Sequence, residues 1–333
     1  MNKLNIAIVG AGRIGNRHAD RIAEVATLKG VYDILKENSI SISKRLNVAC
    51  YESLDQMLEE KLDLVSICTP NGQHYSDAKY FLSKGINVLV EKPMTLKSEE
   101  ALDLIKIAEK HNCRLFIVKQ NRFNPPIQLV KSLIDEKKLG KILSFQLSCF
   151  WNRNEDYYSG SWKGTLNQDG GTLYTQYSHF LDLLIWLFGD VKRSEGYFAN
   201  LNHKGMIEFE DTGVIALELK SGVLGTINYN VNACSKNMEG SLTIFAERGT
   251  IKVGGQYLNE IEYWDVPSIE RPILKGGNSA NSYGTYQGSM SNHDQVYKNV
   301  VDVLVNGGEI ATSGLEGYLT VNMIENIYRQ RDI

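Results

Sequence analysis

The feature that most constrains this 333-residue chain is a glycine-rich segment near its amino terminus. An apolar run at 5–9 leads directly into Gly10-Ala11-Gly12-Arg13-Ile14-Gly15, and helical spacing of apolar residues continues as far as Val25. Strand, tight turn and helix in this order predict a phosphate-binding turn, because glycines let the backbone approach a pyrophosphate and helix amides bind it. The residues expected to contact a dinucleotide are Gly10, Gly12, Arg13, Ile14 and Gly15.

The next apolar run, 28–32, ends in Asp33 at about the 20-residue distance from the glycines where an acid meets a ribose. A carboxylate there accepts hydrogen bonds from the ribose hydroxyls and repels a 2'-phosphate. We therefore expect NAD in preference to NADP, although Lys36 lies close by in the sequence. The alternative is that Asp33 is only a solvated strand end.

Strand and helix signals continue to alternate as far as Val118. The predicted strands are 62–68, 87–90 and 114–118, and the predicted helices are 73–84 and 98–111. Such alternation predicts parallel βαβ units, and hence an α/β, doubly wound Rossmann sheet. The carboxyl ends of its strands form the edge at which ligands bind in open α/β sheets.

The 62–68 strand ends in Thr69-Pro70-Asn71-Gly72-Gln73-His74, where proline and glycine break the strand and polar groups collect. We expect Thr69, Asn71 and His74 to contact the nicotinamide or its ribose, because they follow the carboxyl end of a strand. For His74 the alternative is a histidine at a helix start that faces water or the backbone.

Val88-Leu89-Val90-Glu91-Lys92-Pro93 ends the next predicted strand with a charged pair and a fixed turn. Pro93 cannot donate to a sheet ladder, so the strand must stop at Lys92. Cofactor and substrate are expected to meet at Lys92, with Glu91 among the cofactor-binding residues. A surface lysine beside a turn is the alternative.

The 114–118 strand is followed by Lys119-Gln120-Asn121-Arg122-Phe123-Asn124-Pro125-Pro126, where five polar side chains precede a helix that starts at proline. So many polar groups at a strand end indicate a site, and a solvated loop is the alternative. We expect Gln120 to contact the cofactor and Asn121 to contact the substrate. The domain boundary is placed here, with an NAD-binding Rossmann domain at 1–123 and a substrate-binding and oligomerisation domain at 124–333.

Beyond Gly140 the pattern changes to strands joined by short turns. Residues 214–220 and 223–231 flank Ser221-Gly222, and residues 242–247 and 250–253 flank Arg248-Gly249, as in antiparallel hairpins. A helix is predicted at 170–188, and closing helices fall within 292–330. The second domain is therefore expected to be an α+β domain with an open antiparallel sheet.

Composition argues against several classes of partner. With 36 basic and 39 acidic residues, the net charge of -3 gives no electrostatic reason to expect nucleic acid or an anionic membrane. The five cysteines show no C-x-x-C spacing and no cluster with histidine, so neither metal nor disulfides are expected. The amino-terminal apolar run lacks a signal-peptide cleavage site and 180–188 is too short for a membrane span, so we expect a cytoplasmic protein.

Four motifs together resemble the glucose-fructose oxidoreductase, inositol dehydrogenase and MocA family over essentially the whole chain. They are the glycine segment, Thr69-Pro70-Asn71 with His74, Glu91-Lys92-Pro93, and a helix that carries His179 and Asp182. The resemblance implies a Rossmann domain, a second domain with an open antiparallel sheet, and NAD-dependent oxidation of a sugar or cyclitol hydroxyl. Because some members only bind ligands, a non-catalytic NAD- and sugar-binding regulator is an alternative, as is an inositol-type dehydrogenase.

A narrower resemblance is to the bacterial UDP-N-acetylglucosaminuronate 3-dehydrogenases of surface-polysaccharide synthesis. It rests on the 119–126 segment, Trp151-Asn152-Arg153 with Tyr157-Tyr158, Trp162-Lys163-Gly164-Thr165 and Asp169-Gly170-Gly171. This resemblance implies a nucleotide-sugar substrate that is oxidised at C3 to a 3-keto sugar, in the synthesis of lipopolysaccharide or capsule. We also expect a homo-oligomer, a dimer or tetramer formed through the antiparallel sheet.

Oxidation of an alcohol requires a group that takes the hydroxyl proton while a hydride leaves the carbon. His179 can accept the proton at neutral pH, and Lys92 can stabilise the developing alkoxide or take the proton itself. The sequence leaves open which is the base, and a core histidine bonded to backbone is the alternative for His179. Many relatives carry Asp four residues before this histidine, where this chain has Thr175. Asp182 lies three residues after His179 on the same helix face, and the sequence leaves open whether it substitutes as the partner or whether the protein is an inactive relative.

An acidic nucleotide sugar also requires positive charge and flat rings. Arginine and lysine can bind phosphate or carboxylate, and aromatic rings can stack on the base or the sugar. Ordinary subunit contacts have the same composition, which is the alternative. The predicted substrate-binding residues are Lys92, Asn121, Arg122, Arg153, Tyr157, Trp162, Lys163, Thr175 and His179.

Overall fold

A computed structural model describes residues 3–274, 276–282 and 287–331 of the chain. Contacts divide the chain into two compact units. The first unit contains the chain up to Lys119 together with His293–Val321, and the second contains Gln120–Asn292 and the residues from Asn322 onward.

The first unit is built on a six-stranded parallel sheet with the order β3-β2-β1-β4-β5-β6. Its strands are β1 (Asn5–Val9), β2 (Thr27–Tyr32), β3 (Ala49–Cys50), β4 (Leu64–Ile67), β5 (Asn87–Val90) and β6 (Leu115–Ile117). The strand order reverses between β1 and β4, which creates the topological switch point where such sheets bind ligands. The predicted doubly wound parallel sheet is confirmed.

Helices connect the strands of this sheet. They are α1 (Arg13–Val25), α2 (Lys36–Leu46), α3 (Leu54–Met57), α4 (His74–Leu82) and α5 (Ser98–Lys110). The helix α1 buries Ala19 and Ile22 completely, at the spacing that an amphipathic helix requires. A short 3₁₀ turn, Asn71–Gln73, precedes α4.

The second unit contains a seven-stranded sheet with the order β13-β12-β11-β7-β10-β9-β8. Its strands are β7 (Ile142–Phe150), β8 (Val191–Ala199), β9 (Thr212–Leu219), β10 (Leu224–Asn230), β11 (Glu239–Ala246), β12 (Gly249–Gly254) and β13 (Glu260–Asp265). The predicted hairpins form as β9–β10 and β11–β12. One pair, β7 with β10, is parallel, so the sheet is mixed rather than wholly antiparallel. Alternation of apolar residues predicts a strand but not its direction, which explains the difference.

Helices cover one face of this sheet. They are α6 (Pro125–Asp135), α7 (Glu155–Tyr158), α8 (Thr172–Thr175) and α9 (Ser178–Phe188). Phe188 of α9 stacks on Phe145 of β7 with a ring-centroid distance of 5.0 Å. The opposite face exposes large side chains such as Tyr197 and Leu224, so the sheet is open on that side within the described residues.

The helix predicted at 170–188 is divided into α8 and α9. Gly170 and Gly171 lie outside it with φ of +85° and +136°, backbone conformations that favour glycine. A side chain at Gly171 would lie only 2.6 Å from the Tyr328 hydroxyl. The division makes His179 the second residue of α9, at the beginning of a helix rather than in the middle of one.

The closing helices are α10 (His293–Val301), which continues as a π turn at Asp302–Asn306, and α11 (Gly314–Tyr328). Residues 292–330 are predicted from the sequence to belong to the second domain, whereas His293–Val321 belongs to the first unit. The reason is packing: the Tyr297 hydroxyl bonds to Ser66, and Gly317 lies against Met94. The first division falls after Lys119, slightly before the predicted boundary at 123.

No helix in the described ranges combines the length and the apolar character needed to cross a bilayer.

Candidate active site

The glycine segment has the geometry of a phosphate-binding turn. Gly10 has φ of +91°, and a Cβ there would lie 2.5 Å from the carbonyl carbon of Cys68. At Gly15 a Cβ would lie 2.0 Å from the Gly10 oxygen, so both positions require glycine. At Gly12 a Cβ would meet no described atom within 4 Å. The start of α1 is therefore open to a close approach, as a pyrophosphate requires.

Asp33 lies beside this turn at the end of β2. Its Oδ2 accepts a hydrogen bond from the amide of Ala11 at 2.7 Å, and its Oδ1 accepts from the amide of Leu35 at 2.8 Å. Each oxygen keeps further acceptor capacity, so a held carboxylate can still receive ribose hydroxyls. Arg13 is exposed and Ile14 is half-buried at the start of α1. These residues fit the NAD predicted from the sequence.

The loop after β4 is held by its own polar groups. Thr69 donates to Oδ2 of Asp77 at 2.8 Å, and Asn71 is buried. The ring of His74 lies between two carbonyl oxygens, with Nδ1 2.6 Å from that of Pro93 and Nε2 2.9 Å from that of Thr69. Both ring nitrogens of His74 therefore face backbone carbonyls, the arrangement given above as the alternative, and the predicted cofactor contact stays a prediction.

Lys92 is half-buried directly after β5, and the peptide bond between Lys92 and Pro93 is cis. Glu91 is buried, with Oε1 accepting from Nε2 of His18 at 2.8 Å and from Nε2 of His293 at 3.2 Å. Glu91 was predicted to contact the cofactor, but its carboxylate is occupied by a cluster of protein groups. No short-range pattern connects positions 18, 91 and 293, so the sequence did not reveal this cluster.

Two amides follow β6. Asn121 is 1% exposed, and neither its side-chain oxygen nor its nitrogen has a hydrogen-bond partner among the described residues. Oε1 of Gln120 is also buried without a partner there. An unsatisfied buried polar group costs about 1–3 kcal/mol. Such a cost is expected where a ligand supplies the missing hydrogen bonds, as predicted for both residues.

Arg122 forms a buried, bidentate ion pair with Asp182. Its Nε lies 2.7 Å from Oδ2 and its terminal nitrogen Nη2 lies 2.7 Å from Oδ1. The guanidinium also lies 5.1 Å from the ring centre of Trp186. Asp182, which the sequence offered as a partner for His179, thus forms an ion pair with Arg122, a contact that the sequence did not reveal. His179 itself is buried in α9.

Thr175 occupies the position where the resemblance leads one to expect Asp. Its hydroxyl donates to the carboxylate of Asp169, whose Oδ2 also accepts from the amide of Gly164 at 2.8 Å. Asp169 is buried. A carboxylate therefore lies one hydrogen bond away from position 175, although it comes from another part of the chain. The Thr175 hydroxyl keeps its acceptor capacity, and its predicted contact with the substrate stays a prediction.

The predicted cations and rings of the second unit lie together. The ring centre of Tyr157 is 5.0 Å from the guanidinium carbon of Arg153 and 4.4 Å from Nζ of Lys163. Nζ of Lys163 is also 5.7 Å from the ring of Trp162. Arg153 and Tyr157 are buried, whereas Trp162 and Lys163 are half-buried and more accessible.

Arg153 is held from several sides. Its Nε donates to Oε1 of Gln176 at 2.6 Å, and Nη1 donates to Oδ1 of Asn237 at 3.0 Å. Its carbonyl oxygen lies 2.7 Å from Nε2 of His203, while Nδ1 of His203 lies 3.0 Å from Oδ2 of Asp211. The hydrogen bond with Asp211 raises the pKa of His203, which favours the imidazolium form that donates to both. No motif in the sequence pointed to His203.

Two family models match nearly all of the chain. The model described as "Oxidoreductase family, NAD-binding Rossmann fold" matches residues 4–119, and the one described as "Oxidoreductase family, C-terminal alpha/beta domain" matches residues 131–332. The chain is 34% identical over 131 residues to the UDP-N-acetylglucosamine 3-dehydrogenase of Acidithiobacillus ferrooxidans. That stretch covers 39% of this chain and 42% of the relative.

Two solved structures resemble the whole chain. The WlbA dehydrogenase of Bordetella pertussis, in complex with NADH and UDP-GlcNAcA, is 34% identical with a TM-score of 0.89, over 99% of this chain and 96% of that one. The WlbA dehydrogenase of Chromobacterium violaceum, with the same two ligands, is 33% identical with a TM-score of 0.88, over 99% and 94%. With the two matched domains, they establish that the chain belongs to the Gfo/Idh/MocA family of oxidoreductases and carries its NAD-binding Rossmann domain.

Proposed function

We propose that this protein is an NAD-dependent dehydrogenase that oxidises the C3 hydroxyl of a UDP-N-acetyl-hexuronate to a 3-keto sugar in surface-polysaccharide biosynthesis. The observation that carries the proposal is the likeness, over 99% of the chain, to two dehydrogenase structures that hold NADH and UDP-GlcNAcA. The cluster of Arg153, Tyr157, Trp162 and Lys163 supports it, because an acidic nucleotide sugar requires both cations and flat rings.

The proposed catalytic residues are Lys92 and His179. Lys92 follows β5, and His179 is the second residue of α9. NAD, when bound, accepts the hydride. His179 or Lys92 takes the hydroxyl proton, and the Lys92 ammonium stabilises negative charge that develops on the oxygen. Asn121 supplies an amide that the protein leaves unsatisfied, and we assign it to the substrate.

Asp33 leads us to expect that NAD(H) binds at least tenfold more tightly than NADP(H), a difference of about 1.4 kcal/mol. The reason is repulsion between the Asp33 carboxylate and a 2'-phosphate. Isothermal calorimetry with both cofactors measures the ratio, and Asp33→Asn should reduce it. Lys36→Ala is the matched control, because the Lys36 ammonium is paired with Glu52 at 2.6 Å and should not set the preference. Equal affinities of the wild type for NAD(H) and NADP(H) would contradict the assignment.

The substrate prediction is that the protein oxidises UDP-GlcNAcA and acts poorly on UDP-N-acetylglucosamine. A buried charge that meets the sugar carboxylate costs about 2–5 kcal/mol when its partner is missing. Incubation with NAD and each sugar nucleotide, followed by NMR, identifies the product. 2-Oxoglutarate is added in a parallel sample so that bound NADH can be reoxidised in place.

Inositol and free hexoses are the comparison substrates in the same experiment. If one of them is oxidised while the sugar acid is untouched, the protein is an inositol-type or free-sugar dehydrogenase. If NAD and the sugar acid bind without any turnover, the regulator alternative holds instead.

We further propose that the protein forms a dimer or tetramer through the open face of the seven-stranded sheet. Tyr197, Val214 and Leu224 are exposed by 88%, 50% and 58%, and Tyr197 lies directly opposite Val214 in the β8–β9 ladder. Phe245 of β11 adds a further exposed ring on the same face. Apolar side chains grouped on one sheet face are typical of an interface.

Val214→Asp is expected to lower the oligomeric state, because it places a charge within the proposed apolar interface. Sedimentation velocity measures the change at fixed protein concentration. Leu315→Asp in α11 is the matched control, since Leu315 has the same 58% exposure as Leu224 but lies outside the sheet. An unchanged sedimentation coefficient for Val214→Asp would exclude this face as the contact.

A further inference from the structure

A group of buried polar side chains adjoins the end of β5, and we call it the His18 cluster. Each member is at most 5% exposed. The members are His18 of α1, Ser66 of β4, Glu91, and His293 and Tyr297 of α10. The proposed reaction uses none of them directly, so their presence in the core requires another explanation.

The hydrogen bonds of the His18 cluster converge on Glu91. While Oε1 accepts from the two histidines, Oε2 accepts from the main-chain amide of Lys92 at 3.0 Å. On the other side of the His18 ring, Nδ1 lies 2.7 Å from the hydroxyl of Tyr297. That hydroxyl donates to Ser66 at 3.0 Å. The Glu91 carboxylate thus links two helices to the backbone of Lys92.

The cluster holds a pair of charges. Burial raises the pKa of Glu91, but hydrogen bonds from His18 and His293 hold that pKa well below its ordinary value. Burial lowers the pKa of His18, whereas Cys68, Tyr297 and Glu91 raise it, so it lies well above its ordinary value. The pKa of His293 is lowered, chiefly by burial. The directions of these two shifts favour an imidazolium at His18 beside a carboxylate at Glu91, with Nε2 and Oε1 2.8 Å apart.

A buried ion pair such as that of His18 and Glu91 is poor evidence that the pair stabilises the fold. Taking each ion out of water costs several kcal/mol, and apolar side chains of similar volume often serve stability as well or better. Buried charges that perturb one another are concentrated at functional sites. The only main-chain group that the Glu91 carboxylate binds, among the described contacts, is the amide of Lys92.

We propose that His18, Glu91 and His293 are positioning residues that fix the main chain of Lys92 and set the electrostatic field around its ammonium group. The inference rests on the proposed function, because it takes Lys92 as a catalytic residue. The carboxylate of Glu91 adds one negative charge beside Lys92, and the imidazolium of His18 balances it.

Other titratable groups face the cluster and must be held constant in a test. Cys68 lies next to Ser66 on β4, with Sγ 3.6 Å from its Oγ. The charge of Arg17 acts on His293. The charges of Glu91 and Lys92 both act on the His74 ring.

Two substitutions that keep the side-chain size similar each remove one of the two charges. Glu91→Gln removes the anion, so the ammonium form of Lys92 loses a favourable neighbour. His18→Gln removes the cation but keeps a donor near the position of Nε2, so the anion is no longer balanced. Consecutive residues lie closer than the Debye length of about 10 Å at 0.1 M salt, so solvent does not screen these effects fully. The two variants should therefore act on Lys92 in opposite directions.

The experiment is the pH dependence of kcat with NAD and UDP-GlcNAcA. One limb of this pH profile reports the titration of Lys92. It is identified as the limb that is absent when the weak residual activity of Lys92→Ala is measured over the same pH range. We expect Glu91→Gln to move this limb to lower pH and His18→Gln to move it to higher pH, each by about half a pH unit or more. The dissociation constant for NAD should stay within about threefold for His18→Gln, because His18 is not among the residues assigned to NAD. A residue that only supported folding would not produce shifts of opposite sign.

Tyr297→Phe is a second variant in case His18→Gln does not fold. It removes one acceptor of the His18 ring and should move the limb in the same direction as His18→Gln, by a smaller amount. His111→Gln, at the end of α5, is the matched control and should leave the profile unchanged. If Lys92→Ala is inactive but the limb does not move in any cluster variant, the positioning role is refuted and the proposed function stands. If Lys92→Ala turns over at the wild-type rate, or if neither the wild type nor Lys92→Ala turns over, the positioning role and the proposed function are both refuted.

Discussion

Lys92→Ala and His179→Ala are each expected to lower kcat for UDP-GlcNAcA by about two or more orders of magnitude, while NAD still binds. The reason is that a positioned acid or base contributes about 10²–10⁴ in rate, and neither residue is assigned to the adenine half of the cofactor. Stopped-flow absorbance of NADH formation gives kcat, and calorimetry gives the NAD affinity of the same samples.

Matched controls are available for both residues. Lys97 has an exposed side chain near Lys92 in the sequence, and His111 is half-buried at the end of α5. Lys97→Ala and His111→Ala should turn over at nearly the wild-type rate. A near-normal rate in Lys92→Ala or His179→Ala removes that residue from the mechanism, and the other then becomes the sole candidate for the base.

Asp182→Ala should lower the free energy of unfolding by about 3–5 kcal/mol, because it leaves the buried guanidinium of Arg122 without its carboxylate. The midpoint of urea denaturation measures the loss, followed by a probe in the second unit such as the fluorescence of Trp186, which lies against Arg122. Asp182 is one turn after His179 on α9, so a loss of activity is expected to accompany the loss of stability.

Two further variants test the cause of that loss. Arg122→Met combined with Asp182→Leu removes both charges and should recover much of the stability, because no charge is left buried. Asp103→Ala breaks an exposed pair with Lys79 and should change the midpoint very little. If Asp182→Ala is no less stable than Asp103→Ala, the pair with Arg122 does not hold the start of α9.

The cations of the second unit differ in exposure. Arg122 and Arg153 are buried, whereas Lys163 is half-buried over the ring of Tyr157. We expect an incoming phosphate or carboxylate to approach Lys163 first.

Much of the first unit was predictable from the sequence, because its signals are local. Gly10 has a positive φ, and at both Gly10 and Gly15 neighbouring backbone atoms leave no room for a Cβ atom. Only glycine fits such positions, so the sequence shows them directly. Strand ends are visible as apolar runs that stop at proline or polar residues, as at Pro93. The hairpins β9–β10 and β11–β12 were visible for the same reason, since short turns with glycine leave few other conformations.

The pairing of buried polar groups became visible only in the folded protein. The sequence offered Asp182 as a partner for His179, and the structure adds a buried ion pair with Arg122 through two hydrogen bonds of 2.7 Å. The ring nitrogens of His74 are hydrogen-bonded to two carbonyl oxygens, and the Glu91 carboxylate is hydrogen-bonded to histidines of α1 and α10.

Most of the strands and helices, the glycine turn and the strand ends that carry the candidate site residues were predictable from local sequence patterns. The tertiary structure decided the parallel pairing of β7 with β10 and the assignment of His293–Val321 to the first unit. Periodicity and turn residues act over a few positions, so a sequence displays them directly. Pairing between distant segments depends on the sum of many small packing and desolvation differences, and that sum exists only after the chain has folded.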